Sequence, residues 1–200
     1  MSTVQRIGAL ALTLYILAPG AAPGEAWTFR VEPEQTRAAF AVSYLGFAKQ
    51  RGLFARTSGT IVIDREHKVG SVDLVIDVKS VDTGWDLRDG FLRGENMFDA
   101  ERYPTLRFRS TRLDFDDERL VAVDGEMTLR GVTVPAHFDV LRLACATDSA
   151  HGRESCDATV SGRISRSAFG MDFAYPLIGD EVDLDIALKA VSTPRETAMQ

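Results

Sequence analysis

The stretch TGWDLRDGFLRGENMFDAERYPTLRFRS, residues 83–110, lies between two segments that have the periodicity of β-strands. Before it, residues 71–78 alternate apolar with mostly polar side chains, which is typical of a half-buried strand. After it, residues 105–110 resume the same alternation. The connection is too long for a hairpin turn, so it must contain structure of its own.

The connection carries a helical signal. Asp86 is the predicted N-cap of a short helix that places Leu87, Phe91 and Leu92 on one side. Long connections with regularly spaced apolar and charged residues are usually functional or fill an end of the fold. We therefore expect a helical flap over one end of a sheet.

The rest of the chain consists mostly of short alternating segments separated by turn signals. Residues 45–54, LGFAKQRGLF, contain two glycines and interrupt the alternation, so a short turn or helical bend is expected there. About eight or nine antiparallel strands with an apolar inner face form a barrel or a sandwich, and the flap favours a barrel with a cavity. The predicted strands are residues 27–31, 38–44, 59–64, 71–78, 105–113, 120–130, 135–143, 158–164 and 181–190.

Composition limits the function classes. The chain has 200 residues, 45% of them hydrophobic, and this is enough for one globular domain with its own core. The formal net charge is -6 and no basic block is present. Nucleic acid is therefore not an expected partner, because binding it requires a basic surface.

Residues 1–26 have the pattern of a signal peptide. Arg6 precedes an apolar run at residues 7–18, and small residues then allow cleavage after Ala22 or Ala26. The run is too short to span a bilayer. We expect a soluble, acidic, periplasmic or secreted protein without stable membrane insertion, ending in a flexible tail at residues 192–200.

Cys145 and Cys156 flank a polar loop between two predicted strands. An exported protein meets oxidising conditions, so a disulfide is expected. The alternative is a redox pair or metal site, but the spacing matches neither a C-x-x-C motif nor a zinc pattern. We predict no metal and no cofactor.

Catalytic motifs are not evident in the sequence. His67 lies in a predicted turn, His137 on the polar side of a strand and His151 in the cysteine loop. These positions do not suggest one shared site, and the usual motifs for nucleophilic chemistry are missing. The prediction is a protein that is not an enzyme.

Four motifs together resemble the YceI-like family. They are TRAAFAVSYLGFAKQRGLFARTSGTIVID at residues 36–64, the flap stretch, VDGEMTLRGVTVPAHFDV at residues 123–140 and SRSAFGMDFAYPLIGDEVDLDIAL at residues 165–188. The resemblance covers the whole predicted mature domain, residues 27–191. It implies an all-β fold, a single elongated antiparallel lipocalin-like barrel of about eight strands with short helical flap segments. It also implies an internal apolar tunnel for a polyisoprenoid or similar amphiphile, a periplasmic location, and no catalytic or metal centre.

Apolar residues on the inner face and in the flap are the candidate ligand contacts, although any one of them also fits ordinary core packing. Arg88 and Arg93 are candidate contacts for an anionic head group. The alternative for both arginines is local pairing with Asp86, Asp89 or Glu95. The candidate lining is Phe40, Val42, Tyr44, Val72, Leu74, Ile76, Phe91, Leu92, Met97, Phe98, Phe108, Met127, Leu129, Phe138, Val140 and Phe169.

The sequence thus predicts an exported carrier or sequestering protein that binds a polyisoprenoid, quinone or fatty-acyl compound non-covalently. The alternative is an exported structural or interaction module whose barrel is filled by side chains. A homodimer is compatible with either function.

Overall fold

The computed structural model describes residues 26–148 and 153–193. Residues 1–25 of the predicted signal peptide lie outside these ranges. His151 and the tail beyond Thr193 also lie outside them. One helix, α1 (Asp86–Arg93), and three short 3-10 helices at Pro33–Gln35, Val78–Ser80 and Arg166–Phe169 accompany the strands. The strands are β1 (Trp27–Val31), β2 (Arg37–Tyr44), β3 (Ala48–Phe54), β4 (Thr57–Asp64), β5 (Val69–Asp77), β6 (Val81–Asp82), β7 (Thr105–Asp116), β8 (Arg119–Leu129), β9 (Val132–Asp148), β10 (Arg153–Ser165) and β11 (Ile178–Ser192).

The strands form a closed eight-stranded antiparallel barrel. Strands β1 and β2 follow each other along β11 and share one position in the barrel. Strands β3 and β4 share the next position, because β3 pairs with β2 and β4 pairs with β1. Strand β6 continues β5 and pairs with β3. The predicted all-β antiparallel barrel is confirmed, and closure leaves the apolar faces pointing to a common interior.

The expectation of a turn or bend over residues 45–54 is wrong for most of that segment. Strand β3 occupies residues 48–54 and pairs with β2 along its length. Gly52 is a site of close approach and not a turn signal, since the ring of its cross-strand partner Phe40 lies over it. A glycine within a strand permits such contact. It also weakens the alternating sequence pattern from which a strand is predicted.

The predicted flap helix is confirmed, and α1 begins at Asp86. Asp86 is not its N-cap: Trp85 takes that position and makes no side-chain capping bond. Asp89 ties the helix to the preceding loop, because its carboxylate accepts hydrogen bonds from the backbone N–H and the hydroxyl of Thr83. The flap is thus fixed to the end of β6 by a buried carboxylate.

Side chains fill the barrel at the flap end. The rings of Phe40 and Phe54 lie 5.5 Å apart, and those of Phe54 and Phe98 lie 5.4 Å apart. Leu129 and Phe169 are fully buried in the same core. Phe98 comes from the flap itself, so the flap forms part of the packing that closes this end.

Candidate functional site: an apolar cavity open at one end of the barrel

A cavity occupies the part of the barrel that side chains leave unfilled. The volume of the cavity that is open to water-sized molecules is about 150 Å³, and the cavity is continuous with solvent. Apart from Arg65 and Glu118, its wall consists of apolar residues and the two cysteines. A concave apolar site with few polar groups is the usual form of a site for an apolar ligand.

Seven of the predicted contact residues line this cavity. They come from four neighbouring strands, β5, β7, β8 and β9, and all have inward-facing positions in the alternation. The rings of Phe108 and Phe138 meet edge to face with centroids 5.1 Å apart, forming part of the wall. The seven residues are Val72, Leu74, Ile76, Phe108, Met127, Phe138 and Val140.

The other nine predicted contact residues do not line the cavity. Met97, Phe98, Leu129 and Phe169 are buried in the closed end, and Leu92 packs against the same core. Tyr44 and Phe91 are exposed, and Phe91 contacts the ring of Phe173 at a centroid distance of 5.0 Å. Phe40 and Val42 lie on β2, which contributes no residue to the cavity wall. The flap therefore closes the barrel without facing the cavity.

Many residues of the cavity wall are not among the ligand contacts that the sequence predicts. The alternation of β10 and β11 marks inward apolar positions, but it does not distinguish a cavity wall from a filled core. The additional lining residues are Phe29, Ile61, Ile63, Arg65, Leu106, Phe115, Glu118, Leu120, Val123, Leu143, Cys145, Cys156, Ala158, Val160, Ile186, Leu188 and Ala190.

The cavity opens at the end opposite the flap. Only four of its lining residues are exposed, namely Arg65, Glu118, Leu143 and Cys145. We call this group the mouth. Arg65 follows β4, and Glu118 lies in the turn between β7 and β8, whereas the flap connects the opposite ends of β6 and β7. The two ends of the barrel are therefore different: one is filled and the other is open.

An ion pair lies at the mouth. Arg65 Nη2 donates to Glu154 Oε1 at 2.8 Å, and the same nitrogen lies 3.8 Å from Cys145 Sγ. The Glu154 side chain is only 9% exposed, and its backbone N–H donates to the buried hydroxyl of Ser192. A carboxylate this deeply buried requires a partner of opposite charge, and Arg65 provides it.

A second pair of side chains, Asp64 and His67, lies in the turn that contains Arg65. The backbone N–H of His67 donates to Asp64 Oδ1 at 2.9 Å, and this bond lowers the pKa of the Asp64 carboxyl. The His67 ring contacts the other oxygen of Asp64 at 2.9 Å, and the resulting hydrogen bond raises the imidazole pKa. Both carboxylate oxygens of Asp64 therefore have hydrogen-bond partners within its own turn.

The predicted disulfide between Cys145 and Cys156 is confirmed. The two residues are direct partners in the ladder between β9 and β10, and both line the cavity. Glu154 brings a carboxylate within 4.8 Å of both sulfur atoms, which resembles a metal-ligand group. Sulfur atoms in a disulfide lack the thiolate that binds metals, so this group does not fit a metal.

Arg88 and Arg93 hold the flap in place. Arg88 donates to the hydroxyl and carbonyl oxygens of Thr83 and to Gln50 on β3. Arg93 donates to the carbonyl oxygens of Lys79 and Val81. Both guanidinium groups thus bind neutral oxygens of the neighbouring backbone and side chains, and both lie at the closed end of the barrel.

Sequence comparison identifies the family. The model of the YceI-like domain matches residues 29–190, which include every residue that lines the cavity. The protein belongs to the YceI-like family. Within it, Protein YceI of Escherichia coli O157:H7 is 28% identical over 185 residues, covering 91% of this chain and 96% of that protein. A UPF0312 protein of Photorhabdus laumondii is 30% identical over 154 residues, covering 76% of this chain and 79% of that protein.

Solved structures show the same fold for this YceI-like chain. BcnA of Burkholderia cenocepacia superposes with a TM-score of 0.65 at 23% identity, covering 80% of this chain and 98% of BcnA. A polyisoprenoid binding domain from Saccharophagus degradans gives a TM-score of 0.62 at 20% identity, covering 82% and 98%. Among the described residues, no helix has the length and apolar character needed to cross a bilayer.

Proposed function

We propose that this YceI-like protein is an exported carrier or sequestering protein that binds a polyisoprenoid or another long-chain amphiphile non-covalently. The cavity open at one end carries this proposal. Its wall is apolar along its depth, and its charged groups lie only at the mouth. This polarity gradient suits a molecule with a long apolar tail and a small polar head.

The comparisons support a lipid ligand. The neighbouring domain from Saccharophagus degradans is a polyisoprenoid binding domain of the same fold. The signal-like segment at residues 1–26 supports export, and the disulfide agrees with an oxidising compartment. We place the protein in the periplasm or outside the cell on these grounds.

The energetics suit a protein that exchanges its ligand with membranes. Burying a methylene group gains roughly 0.8 kcal/mol relative to water. A lipid tail, however, is transferred from a bilayer and not from water. Bilayer lipid is as apolar as leucine, so the free energy of transferring the tail into the cavity is nearly zero. Selectivity then depends on cavity shape and on the head group, and binding remains reversible.

The alternative is a structural or interaction module with a filled barrel. The flap end of the barrel matches that description, since Phe54, Phe98 and Phe169 fill it. The other end, where the strands surround an apolar cavity, does not match it, and this cavity is the observation that favours binding. We propose that the protein binds its ligand without catalysing a reaction. We also propose that binding requires no second copy of the chain.

Native mass spectrometry of protein purified from its exporting host tests the proposal. We expect a retained lipid of defined mass. Ala158 lines the cavity, so an Ala158→Phe variant places a ring in the wall and should lose that lipid. Ala187 lies on neighbouring β11 with its side chain exposed on the outer face, so Ala187→Phe is the matched control and should retain the lipid.

Two outcomes would contradict the proposal. Persistent absence of lipid after delipidation and reloading of the unchanged protein would favour the structural module. Equal lipid retention by the Ala158→Phe and Ala187→Phe variants, with both folded by circular dichroism, would place the ligand outside the cavity.

A further inference from the structure

Three side chains with metal-ligating atoms lie together beside the mouth. Cys145, Glu154 and Cys156 contribute two sulfur atoms and a carboxylate oxygen, all within 4.8 Å of one another. While the two cysteines form a disulfide, neither sulfur is a thiolate, and the thiolate is the form that binds a metal. The group can therefore act as a metal site only after the disulfide has been reduced.

The strands hold the three side chains together without help from the disulfide. Cys145 and Cys156 are direct partners in the ladder between β9 and β10, and the pairing continues on both sides of them. Direct cross-strand partners keep their side chains adjacent. Glu154 precedes Cys156 by two residues, so both side chains lie on the same face of β10, and both are buried. Reduction thus leaves three neighbouring ligands on a rigid support.

The mouth gives a reductant access to the disulfide, because Cys145 is exposed. A thiolate of a dithiol reductant attacks Cys145 Sγ and displaces Cys156 Sγ as a thiolate. The second thiol of the reductant then closes a disulfide within the reductant and releases Cys145. Two electrons and two protons pass from the dithiol to the two cysteines, and the reductant leaves as a disulfide.

A positive charge already lies among these ligands. Arg65 Nη2 is 2.8 Å from Glu154 Oε1 and 3.8 Å from Cys145 Sγ. The guanidinium group balances one carboxylate. Two thiolates in the same place would bring three negative charges against this one positive charge, and a divalent cation would relieve the repulsion between them. The side chain of Arg65 is half exposed, so it has room to turn towards solvent when a metal enters.

Two thiolates and one carboxylate suit zinc. Thiolates favour zinc over magnesium and calcium, which prefer oxygen ligands. Zinc with three protein ligands takes water as its fourth ligand, and the opening of the mouth can supply that water. Tetrahedral zinc keeps sulfur and oxygen ligands about 3.6–3.8 Å apart, so the Glu154 oxygen needs to approach the sulfur atoms by no more than about 1 Å.

We propose that reduction of the disulfide creates a zinc site at the mouth, with the thiolates of Cys145 and Cys156 and the carboxylate of Glu154 as ligands. The metal replaces Arg65 as the cation that balances Glu154. The redox state of the two cysteines then decides whether the protein binds zinc. This inference goes beyond the proposed function, because zinc binding requires no lipid in the cavity.

Titration of the same chain in its two redox states tests the proposal. One sample is the disulfide-bonded mature protein, and the other is reduced with a phosphine that is then removed under nitrogen. Calorimetry should show one Zn²⁺ bound per reduced chain, at least about 100-fold more tightly than by the disulfide-bonded protein. With Co²⁺ in place of Zn²⁺, absorption from thiolate-to-metal charge transfer should appear in the reduced protein alone. Each cysteine thiol loses its proton as the metal binds.

Variants with opposite expected effects locate the zinc among the three ligands. In the reduced protein, Glu154→Gln should weaken zinc binding about tenfold or more, because a charged ligand is lost. Arg65→Gln should strengthen zinc binding several-fold, because the competing cation is removed. Asp157→Asn is the matched control: Asp157 follows Cys156 on β10, its side chain is exposed on the outer face, and its change should leave zinc binding as it is.

Urea unfolding provides a second readout that covers loss of folding on reduction. Zinc should raise the unfolding midpoint of the reduced protein and leave that of the disulfide-bonded protein unchanged, because a ligand stabilises the state that binds it. Equal zinc affinity in the two redox states would overturn the proposal. A reduced protein that zinc does not stabilise, or equal effects of Glu154→Gln and Asp157→Asn, would also overturn it.

Discussion

The ring of Phe40 on β2 covers Gly52, its direct partner on β3. A Cβ atom added to Gly52 would lie 2.5 Å from Phe40 Cζ and 2.8 Å from Thr83 Cγ2. Phe40 in turn contacts Phe54, so this glycine supports the aromatic packing at the closed end. The relationship explains why a glycine occupies the middle of a regular strand.

Gly52→Ala should therefore destabilise the protein. The added methyl displaces the Phe40 ring, and overpacking of this kind usually costs about 1–3 kcal/mol. Urea unfolding followed by tryptophan fluorescence measures the change. An unchanged free energy of unfolding would show that Phe40 moves aside without strain.

Gly90→Ala should have the opposite effect. Gly90 is exposed within α1, and nothing lies within 4 Å of an added Cβ. Alanine in a helix interior is favoured over glycine by about 0.8–1 kcal/mol, so the flap should become more stable. Hydrogen exchange of the α1 amides measures this, with slower exchange expected, and faster exchange in the variant would contradict it.

Arg166 should be essential for the closed end. It is 3% exposed, and its guanidinium donates to the carbonyl oxygens of Met171, Ile178 and Gly179. Arg166→Met leaves these carbonyls without their donor, and a loss on the order of 3 kcal/mol is expected. Thermal and urea unfolding measure the loss.

Arg163→Met is the matched control for that variant. Arg163 lies three residues earlier, near the end of β10, but it is exposed and pairs with Asp183 at 3.0 Å. Its removal should change stability much less than removal of Arg166, because exposed ion pairs contribute little. Similar losses for both variants would mean that Arg166 acts only through its charge.

Loss of the disulfide should lower stability. Cys145 and Cys156 are 11 residues apart, and closing so short a loop stabilises by about 2–3 kcal/mol in the chain-entropy model. The double variant Cys145→Ala, Cys156→Ala should unfold at lower urea concentration. Reductant should shift the unchanged protein to the same midpoint and leave the variant where it is; a reductant effect on the variant would contradict the assignment.

His137 should make stability depend on pH. Its Nδ1 lies 2.6 Å from Asp124 Oδ1, and this hydrogen bond, with a weaker one to Asp139, raises the imidazole pKa in the folded protein. Its contribution is therefore complete below the unfolded imidazole pKa of about 6.5 and disappears as the pH rises through the raised folded value.

His137→Gln provides the measurement. The free energy of unfolding of the two proteins should differ at about pH 5.5, and the difference should shrink by about pH 8.5. His137 also lowers the carboxyl pKa of Asp124, but that carboxyl titrates below this pH range, so its titration does not contribute to the change between the two pH values. A difference that grows with pH would reverse the assigned sign.

Most strands and the flap helix follow from the sequence, because alternation and helical spacing are local signals. Strand β3 does not, since Gly52 imitates a turn residue while its real partner, Phe40, is twelve residues earlier. Alternation likewise shows that Ile76 and Leu129 face inward. It does not show that Ile76 lines a cavity and Leu129 a filled core.

The mouth was the least predictable part of the site. Arg65, Glu118 and Glu154 come from three separate turns or strand ends, and only barrel closure brings them to one opening. Arg65 and Glu154 are 89 residues apart in the chain. No local sequence pattern relates two such distant positions. The flap arginines could be recognised as a pair because both lie on one short helix.

Because Phe54 and Phe98 close one end of the barrel, the described residues leave one opening to the cavity, at the mouth. The apolar tail of a ligand has to enter first and leave last. The water that it displaces must leave through the same opening. The ligand then associates and dissociates along the same path. A substitution that narrows the mouth therefore slows both rates and leaves the equilibrium occupancy unchanged.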